Sequence, residues 1–200
     1  MFPLASWQAH MFMQIGQFLI ETLFGFFVYL LLLRFYMQWL RVPFRNPIGE
    51  FVATLTNWMV LPARRAIPGL FGLDLASLAL AWLAEVLMWL LMLWLRGFSL
   101  AGAPGVALGV LAGLAAIELV KLSLNLLIGV VIVQVVLSWV NPHTPFAFIF
   151  DALTRPFYRV FRRFIPPIGN IDLSPLFVLI VAQVLQIPVS TLALAVSRMF

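Results

Sequence analysis

Four long apolar segments constrain the fold of this chain more than any other feature. They occupy residues 17–40, 73–95, 118–140 and 173–196. Each reaches the length of about 20 residues that a helix needs to cross a bilayer. The chain is 64% hydrophobic and 10% charged, whereas a soluble domain is about 45–50% apolar and about 25% charged. We therefore predict an all-α membrane protein with about four transmembrane helices.

A fifth apolar segment, residues 106–117, is too short to count with the others. It has only about a dozen residues, against the roughly 20 that a crossing needs. A turn-rich break, "RGFSLAGAPG", precedes it. We interpret residues 96–117 as an apolar linker containing Gly and Pro. Five spans are the alternative, with residues 97–117 crossing separately.

The two halves of the chain repeat one unit. Several features recur at a constant offset of 98 residues: Arg64-Arg65 with Arg162-Arg163, Ile67-Pro68 with Ile165-Pro166, and Asp74 with Asp172. Chance matches between apolar residues are common in such a chain, but a double arginine, a proline and an aspartate in one register are not. We predict a tandem duplication over residues 17–95 and 118–196, in which each copy is a helix, a basic loop and a helix.

The second basic loop predicts an amphipathic helix that lies in the membrane interface. Its apolar residues share one face, which we expect in the acyl boundary: Phe150, Leu153, Phe157, Phe161 and Phe164. Its basic residues share the opposite face: Arg155, Arg159, Arg162 and Arg163. We expect Thr154 as the N-cap, with Pro156 in the first turn. These arginines, with Arg64 and Arg65 of the first loop, are either a positive-inside anchor or a binding site for lipids or partners.

A rigid turn, "IPPIGNIDLSPL", follows this helix. Pro166 and Pro167 keep the preceding residues extended, and Gly169 can supply a turn conformation. Asp172 stands where the N-cap of the last span belongs, followed by Ser174 and by Pro175 in the first helical turn.

A sharper hypothesis makes Asp172 an ion-pair partner of Arg162 or Arg163, so that the interfacial helix is clamped to the bundle. Asp74 repeats the clamp with Arg64 and Arg65 in the first copy. We expect substitutions that break the first clamp to have the smaller effect, because its turn is less rigid. Gly69 stands where the second copy has Pro167, and Ala76 stands where it has Ser174.

These motifs resemble the YggT family of bacterial membrane proteins. The resemblance rests on "SWV" around Trp139, on "LTRP", and on "RRFIPPIGNIDLSPL". The first copy is more divergent, so the resemblance places any function of the motif on the second copy. It implies a bacterial membrane protein without enzymatic activity, with roles in membrane-complex assembly, in envelope organisation or in tolerance of osmotic stress.

Polar residues inside the spans are costly and therefore deserve separate consideration. They are Glu21, Arg34, Glu85, Glu118, Lys121, Asn125, Gln134 and Gln183. Glu118 and Lys121 are three residues apart and can pair, whereas Glu21 and Arg34 can extend toward the interface. Each of these groups either packs against a neighbouring helix or contributes to a transport site.

The remaining composition narrows the function further. The chain has no cysteine and only two histidines, His10 and His143, so we expect no metal and no cofactor. No catalytic motif is present, and the net charge of +5 suits anionic phospholipids better than nucleic acid.

The hypothesis is therefore a non-enzymatic protein of the bacterial inner membrane. It would assist membrane-complex assembly or envelope organisation, with its basic loops in the cytoplasm, and with other membrane proteins or copies of itself as partners. The alternative is a small channel or transporter subunit in ion or osmotic homeostasis.

Overall fold

The computed structural model describes residues 4–69, 72–97, 104–164 and 172–198. Within these ranges the chain forms six helices: α1 Leu4–Trp39, α2 Pro47–Ala66, α3 Leu75–Leu95, α4 Pro104–Val140, α5 Pro145–Arg162 and α6 Ser174–Ser197. The helices long and apolar enough to cross a membrane are four: α1, α3, α4 and α6. The predicted all-α membrane class with four spans is therefore confirmed.

The apolar residues before the third span belong to that span. Helix α4 runs without interruption from Pro104 to Val140, so residues 104–117 are neither a linker nor a separate crossing. Pro104 occupies the first turn, where a missing N–H breaks no helical hydrogen bond, so the helix can begin there. At about 1.5 Å per residue, α4 is about 55 Å long, well beyond the roughly 30 Å of a hydrocarbon core. Residues 98–103 lie outside the described ranges.

The six helices fall into two similar units, α1–α2–α3 and α4–α5–α6. Each unit has a long first helix, of 36 and 37 residues, then a helix of 20 or 18 residues, then one of 21 or 24. In each unit the first helix packs against the third, and α3 packs against α4 to join the units. Two spans separate equivalent positions, so α2 and α5 lie at the same end of the bundle, which we call the loop end.

Equivalent polar residues start α2 and α5. Asn46 Oδ1 accepts a hydrogen bond from the Gly49 N–H at 2.8 Å, and Thr144 Oγ1 accepts one from the Ala147 N–H at 3.2 Å. In both helices proline follows the cap, where its fixed φ suits the first turn. These caps fix where each loop-end helix begins.

The prediction that Thr154 caps the second loop helix is wrong. Thr154 lies buried inside α5, and its hydroxyl donates to the Phe150 carbonyl at 2.9 Å. Pro156 is also inside the helix, on an exposed face. The carbonyl that Pro156 leaves without its helical N–H can meet water or headgroups there, so the proline does not end the helix.

Helix α5 packs on the bundle. Ile149 and Leu153 are buried with Met37 and Val42, which lie at the end of α1 and in the turn after it. Leu153 and Phe150, which we expected in the acyl boundary, therefore pack on protein instead. This part of the apolar face fills a space between the two units, because the turn after α1 supplies apolar side chains there. Phe164 is 75% exposed and so remains available to the acyl boundary.

Candidate functional site

An ion pair joins the end of α2 to the start of α3. Asp74 is the N-cap of α3, with Oδ1 accepting from the Ser77 N–H at 3.3 Å and Oδ2 from the Ser77 hydroxyl at 2.6 Å. Arg64, in the last turn of α2, donates from Nε to Oδ1 at 3.2 Å and from Nη2 to Oδ2 at 2.6 Å. A bidentate pair of this kind fixes the relative orientation of its two partners.

Helix α1 brings a second arginine to the same carboxylate. The Nε of Arg34 lies 3.4 Å from Asp74 Oδ2, and its Nη1 donates to Thr56 Oγ1 at 2.7 Å and to Asn57 Oδ1 at 2.8 Å. Arg34 is 4% exposed and Asp74 is 1% exposed. Asp74 therefore connects all three helices of the first unit, and Arg34 is part of this buried connection.

A further α1 residue completes this arrangement. Gln38, one turn after Arg34, accepts a hydrogen bond from Arg64 Nη2 at 2.8 Å. We call the set Arg34, Gln38, Thr56, Asn57, Arg64 and Asp74 the first-unit cluster. Members of this cluster lie up to 40 residues apart in the chain. Comparison of the two repeats therefore identified only the pair Arg64–Asp74.

Asp74 stays ionised in this setting. Burial by itself raises the pKa of its carboxyl, but the hydrogen bonds from Arg64 and Ser77 outweigh that effect. The pKa of Asp74 is therefore below its ordinary value of 3.8. The cluster thus contains two guanidinium groups and one carboxylate, with one positive charge in excess.

The second unit repeats the pair in a more open form. Arg162 donates from Nε at 2.9 Å and from Nη2 at 2.7 Å to Asp172 Oδ2, and Asp172 Oδ1 accepts from the Ser174 N–H at 2.9 Å. The side chains of Arg162 and Asp172 are 49% and 31% exposed. Burial raises the pKa of Asp172, but the hydrogen bonds from Ser174 and Arg162 outweigh it and lower that pKa overall.

Other motif residues of the second copy have simpler positions. Ser174 is buried and Pro175 lies in the first turn of α6. Pro166, Pro167 and Gly169 lie outside the described residues, so the proposed rigidity of their turn stays a prediction.

The second unit has a neutral contact where the first has Arg34. In the register that aligns Trp39 with Trp139, Arg34 corresponds to Gln134. Gln134 Oε1 accepts a hydrogen bond from the Tyr158 hydroxyl at 2.8 Å. Arg162 and Asp172 therefore form a surface pair without a second arginine, with the Arg162 guanidinium 5.8 Å from the centre of the Tyr158 ring. Arg64 and Asp74 instead belong to a buried network.

Four further basic side chains lie at the loop end. Arg65, Arg155, Arg159 and Arg163 are all exposed, and Arg155 contacts Asp151 at 2.7 Å. Trp139, near the end of α4, is 82% exposed at the same end. Arginine and tryptophan together are typical of the boundary between hydrocarbon and headgroups.

A second polar group lies inside the spans. Glu85 of α3 is 2% exposed, and its Oε2 has no hydrogen-bond partner among the described residues. On α4, Lys121 pairs with Glu118 at 3.1 Å, and Asn125 accepts from Gln186 of α6 at 2.6 Å. In the part of the chain that the structure describes, no group of three or more His, Asp or Glu residues could hold a metal ion.

Comparison with known proteins supports the repeat. The sequence model of the CCB3/YggT family matches residues 13–95 and again residues 113–193. An uncharacterized protein of Vibrio alginolyticus is 34% identical over 169 residues, which cover 83% of this chain and 88% of that protein. The uncharacterized protein PA0392 of Pseudomonas aeruginosa is 33% identical, over 84% of this chain and 85% of its own length.

A longer match reaches Escherichia coli. The uncharacterized protein YggT of strain K12 is 29% identical over 192 residues, covering 91% of this chain and 93% of that protein. No solved structure matches the chain.

The fold and the paired arginine–aspartate sites define a helical membrane protein built from two copies of one three-helix unit. The two family matches cover these same units. The chain belongs to the CCB3/YggT family.

Proposed function

We propose that this chain is a non-enzymatic protein of the bacterial inner membrane that assists membrane-complex assembly or envelope organisation. Its α2 and α5 act as basic amphipathic helices at the membrane surface. The observation that carries the proposal is the exposure of Arg65, Arg155, Arg159 and Arg163 at one end of the bundle. Exposed guanidinium groups can bind phosphates and carboxylates in bidentate geometry, which suits both anionic lipids and acidic partner segments.

Packing supports the proposal further. Because Ile149 and Leu153 fix α5 on the bundle, the arginines of α5 are held in a constant array. A fixed array binds a partner with less loss of conformational entropy than a mobile loop does. The partners we propose are other membrane proteins. We also propose that copies of this chain associate with one another, and that the protein acts during osmotic stress.

The test compares two variants with equal charge loss. Arg159 and Arg163 are changed to Gln at the loop end, and Arg96 and Arg198 are changed to Gln in a matched control at the opposite end. Complexes are extracted from native membranes in mild detergent and separated by native electrophoresis. We expect the loop-end variant to lose the high-mass complex and the control to retain it. An identical profile for both variants would contradict the proposal.

Glu85 favours a second candidate, a channel or transporter subunit. A buried carboxyl without a partner among the described residues is an unusual feature of a membrane span and marks an ion or proton pathway by default. Purified protein in liposomes would show ion or proton flux that Glu85→Gln abolishes. Glu21→Gln, at an exposed position of α1, is the matched control. Absence of flux in the unmodified protein would remove this candidate.

A further inference from the structure

An open cavity of about 500 Å³ lies at the loop end of the first unit. It is formed by the last turns of α1, the turn that follows α1, and α2. Its polar lining comes from five residues: Arg34, Gln38, Arg41, Asn57 and Arg64. Its apolar lining includes Phe44 and Ala53. Three arginines therefore face one cavity.

Positive charge is in excess around this cavity. Arg34 and Arg64 share the single carboxylate of Asp74, and Arg41 adds a third guanidinium group. Three guanidinium groups and one carboxylate give a net charge of +2 around the cavity. Near the membrane boundary such an excess is screened less than in bulk water, so the cavity attracts an anion.

Arg41 occupies a backbone position that does not favour arginine. Its φ is 56°, in the left-handed region. The Val42 N–H donates to the Met37 carbonyl at 2.8 Å, and the Arg41 N–H donates to the Gln38 carbonyl at 3.1 Å. This is a Schellman ending of α1, in which glycine or asparagine usually takes the left-handed position.

The second unit does not repeat this ending: Asn141, equivalent to Arg41 in sequence, donates its N–H to the Leu137 carbonyl at 3.0 Å, as in a continuing helix. Among the described residues other than glycine, Arg41 alone has a positive φ. A bulkier residue at such a position costs about 1–2 kcal/mol of strain. The strain indicates that the arginine side chain at position 41 has a role that glycine or asparagine cannot fill.

The depth of the cavity identifies its occupant. The α1 span ends at Trp39, so Arg41 lies two residues past the apolar segment, where lipid headgroups lie. Arg34 is more than one turn deeper, and Phe44 and Ala53 supply apolar surface beside it. A ligand that has a phosphate at this depth and an apolar portion next to it is a phospholipid.

We propose that this cavity binds the phosphate headgroup of an anionic phospholipid, with Arg41 as its outer contact and Arg34 and Arg64 at its base. The site is independent of both candidate functions. It also differs from the exposed arginines of α5, none of which lines this cavity.

The experiment uses the purified full chain in a neutral detergent, where no charged membrane surface contributes. Thermal unfolding is followed while dihexanoyl phosphatidylglycerol is added. The same lipid with a phosphocholine headgroup and inorganic phosphate alone are run in parallel. Arg41→Asn is the test variant, because asparagine accepts the left-handed backbone. Arg45→Asn is its matched control, since Arg45 is exposed in the same loop but does not line the cavity.

We expect stabilisation by phosphatidylglycerol that exceeds stabilisation by either parallel ligand. Arg41→Asn should raise the half-saturating lipid concentration about tenfold, the size expected for one charge-assisted hydrogen bond. Its unfolding temperature without lipid should be unchanged or higher. Ala53→Phe, which fills the cavity and keeps every charge, should weaken the lipid response in the same way.

Three outcomes would overturn the proposal. An equal loss in Arg45→Asn would show diffuse attraction to basic residues. Equal stabilisation by inorganic phosphate would show a site for free anions. An undiminished lipid response in Ala53→Phe would show that the lipid binds outside the cavity.

Discussion

Asp74 and Asp172 occupy equivalent positions of the two repeats, yet Asp74 contacts two arginines and Asp172 contacts one. The difference arises on α1, where Arg34 approaches Asp74 to 3.4 Å. The equivalent residue on α4 is Gln134, which instead bonds Tyr158. The duplicated motif thus supports a buried charged network in one unit and an exposed pair in the other.

Removal of Asp74 should destabilise the protein far more than removal of Asp172. Asp74→Ala leaves Arg34 buried without its carboxylate partner. We expect this to lower the free energy of unfolding by about 3–5 kcal/mol. Asp172→Ala breaks a pair that is half exposed on the arginine side, with an expected effect below about 1 kcal/mol. Thermal unfolding of both variants in detergent measures the ranking.

Asp74→Asn is the control that separates the ion pair from the helix cap. Asparagine keeps an acceptor for the Ser77 N–H but removes the charge. If Asp74→Asn is as stable as the unmodified protein, the network of arginines contributes nothing and only the cap matters.

The same pair of aspartates predicts a loss of stability in acid. The pKa of Asp74 and that of Asp172 are lower in the folded chain than the ordinary value of 3.8. Their stabilising effect is therefore complete above that value and disappears as the pH falls below it through the folded-state pKa. Unfolding temperatures measured from pH 7 down to about pH 2 should show the difference between unmodified protein and Asp74→Asn shrinking below about pH 4. A constant difference between them would contradict this prediction.

Charge reversal tests the exposed pair of the second unit. Arg162→Glu should repel Asp172, loosen the end of α5 and expose Arg159 to trypsin in membrane vesicles. Combination with Asp172→Arg should restore part of the protection. Arg163→Glu is the matched control, because the ion pairs among the described residues do not include Arg163. Equal digestion of the Arg162→Glu and Arg163→Glu variants would exclude a specific clamp.

The sequence predicts those parts of the site that repeat. The register of 98 residues links Arg64 with Asp74 and Arg162 with Asp172, and both pairs are present. From the sequence we also predict that breaking the first pair has the smaller effect. The structure favours a larger effect for the first pair, because Arg34 joins Asp74 in a buried network. Arg34 lies 40 residues away from Asp74 in the chain, so the repeat does not reveal it.

Local signals were ambiguous where two of them competed. Thr144 before Pro145 and Thr154 before Pro156 both satisfy the sequence rule for a helix start. The structure begins α5 at the first, where Thr144 caps the helix, and buries Thr154 in its middle. Likewise, hydropathy alone could not decide whether the residues after Pro104 form a separate crossing, because a turn-rich break and a helix start look similar in sequence.

Tyr158→Phe tests the neutral contact of the second unit. Tyr158 is 1% exposed, and its hydroxyl donates to Gln134. Loss of the hydroxyl leaves Gln134 without this donor and should lower stability by about 1–2 kcal/mol. Gln134→Leu in the same background should then have little additional effect. Additive losses in the double variant would show that the two side chains act independently.

The arginine distribution predicts the topology. Of twelve Lys and Arg residues, eight lie in the two loop-end segments: Arg41, Arg45, Arg64, Arg65, Arg155, Arg159, Arg162 and Arg163. The positive-inside rule places that end in the cytoplasm, so both termini should be periplasmic. A fluorescent protein that folds only in the cytoplasm should be dark when fused after Phe200 and bright when fused after Asn46. A bright fusion after Phe200 would contradict this orientation. Because α4 is one continuous helix, that result would mean that the whole bundle is inverted, and it would not support a fifth span.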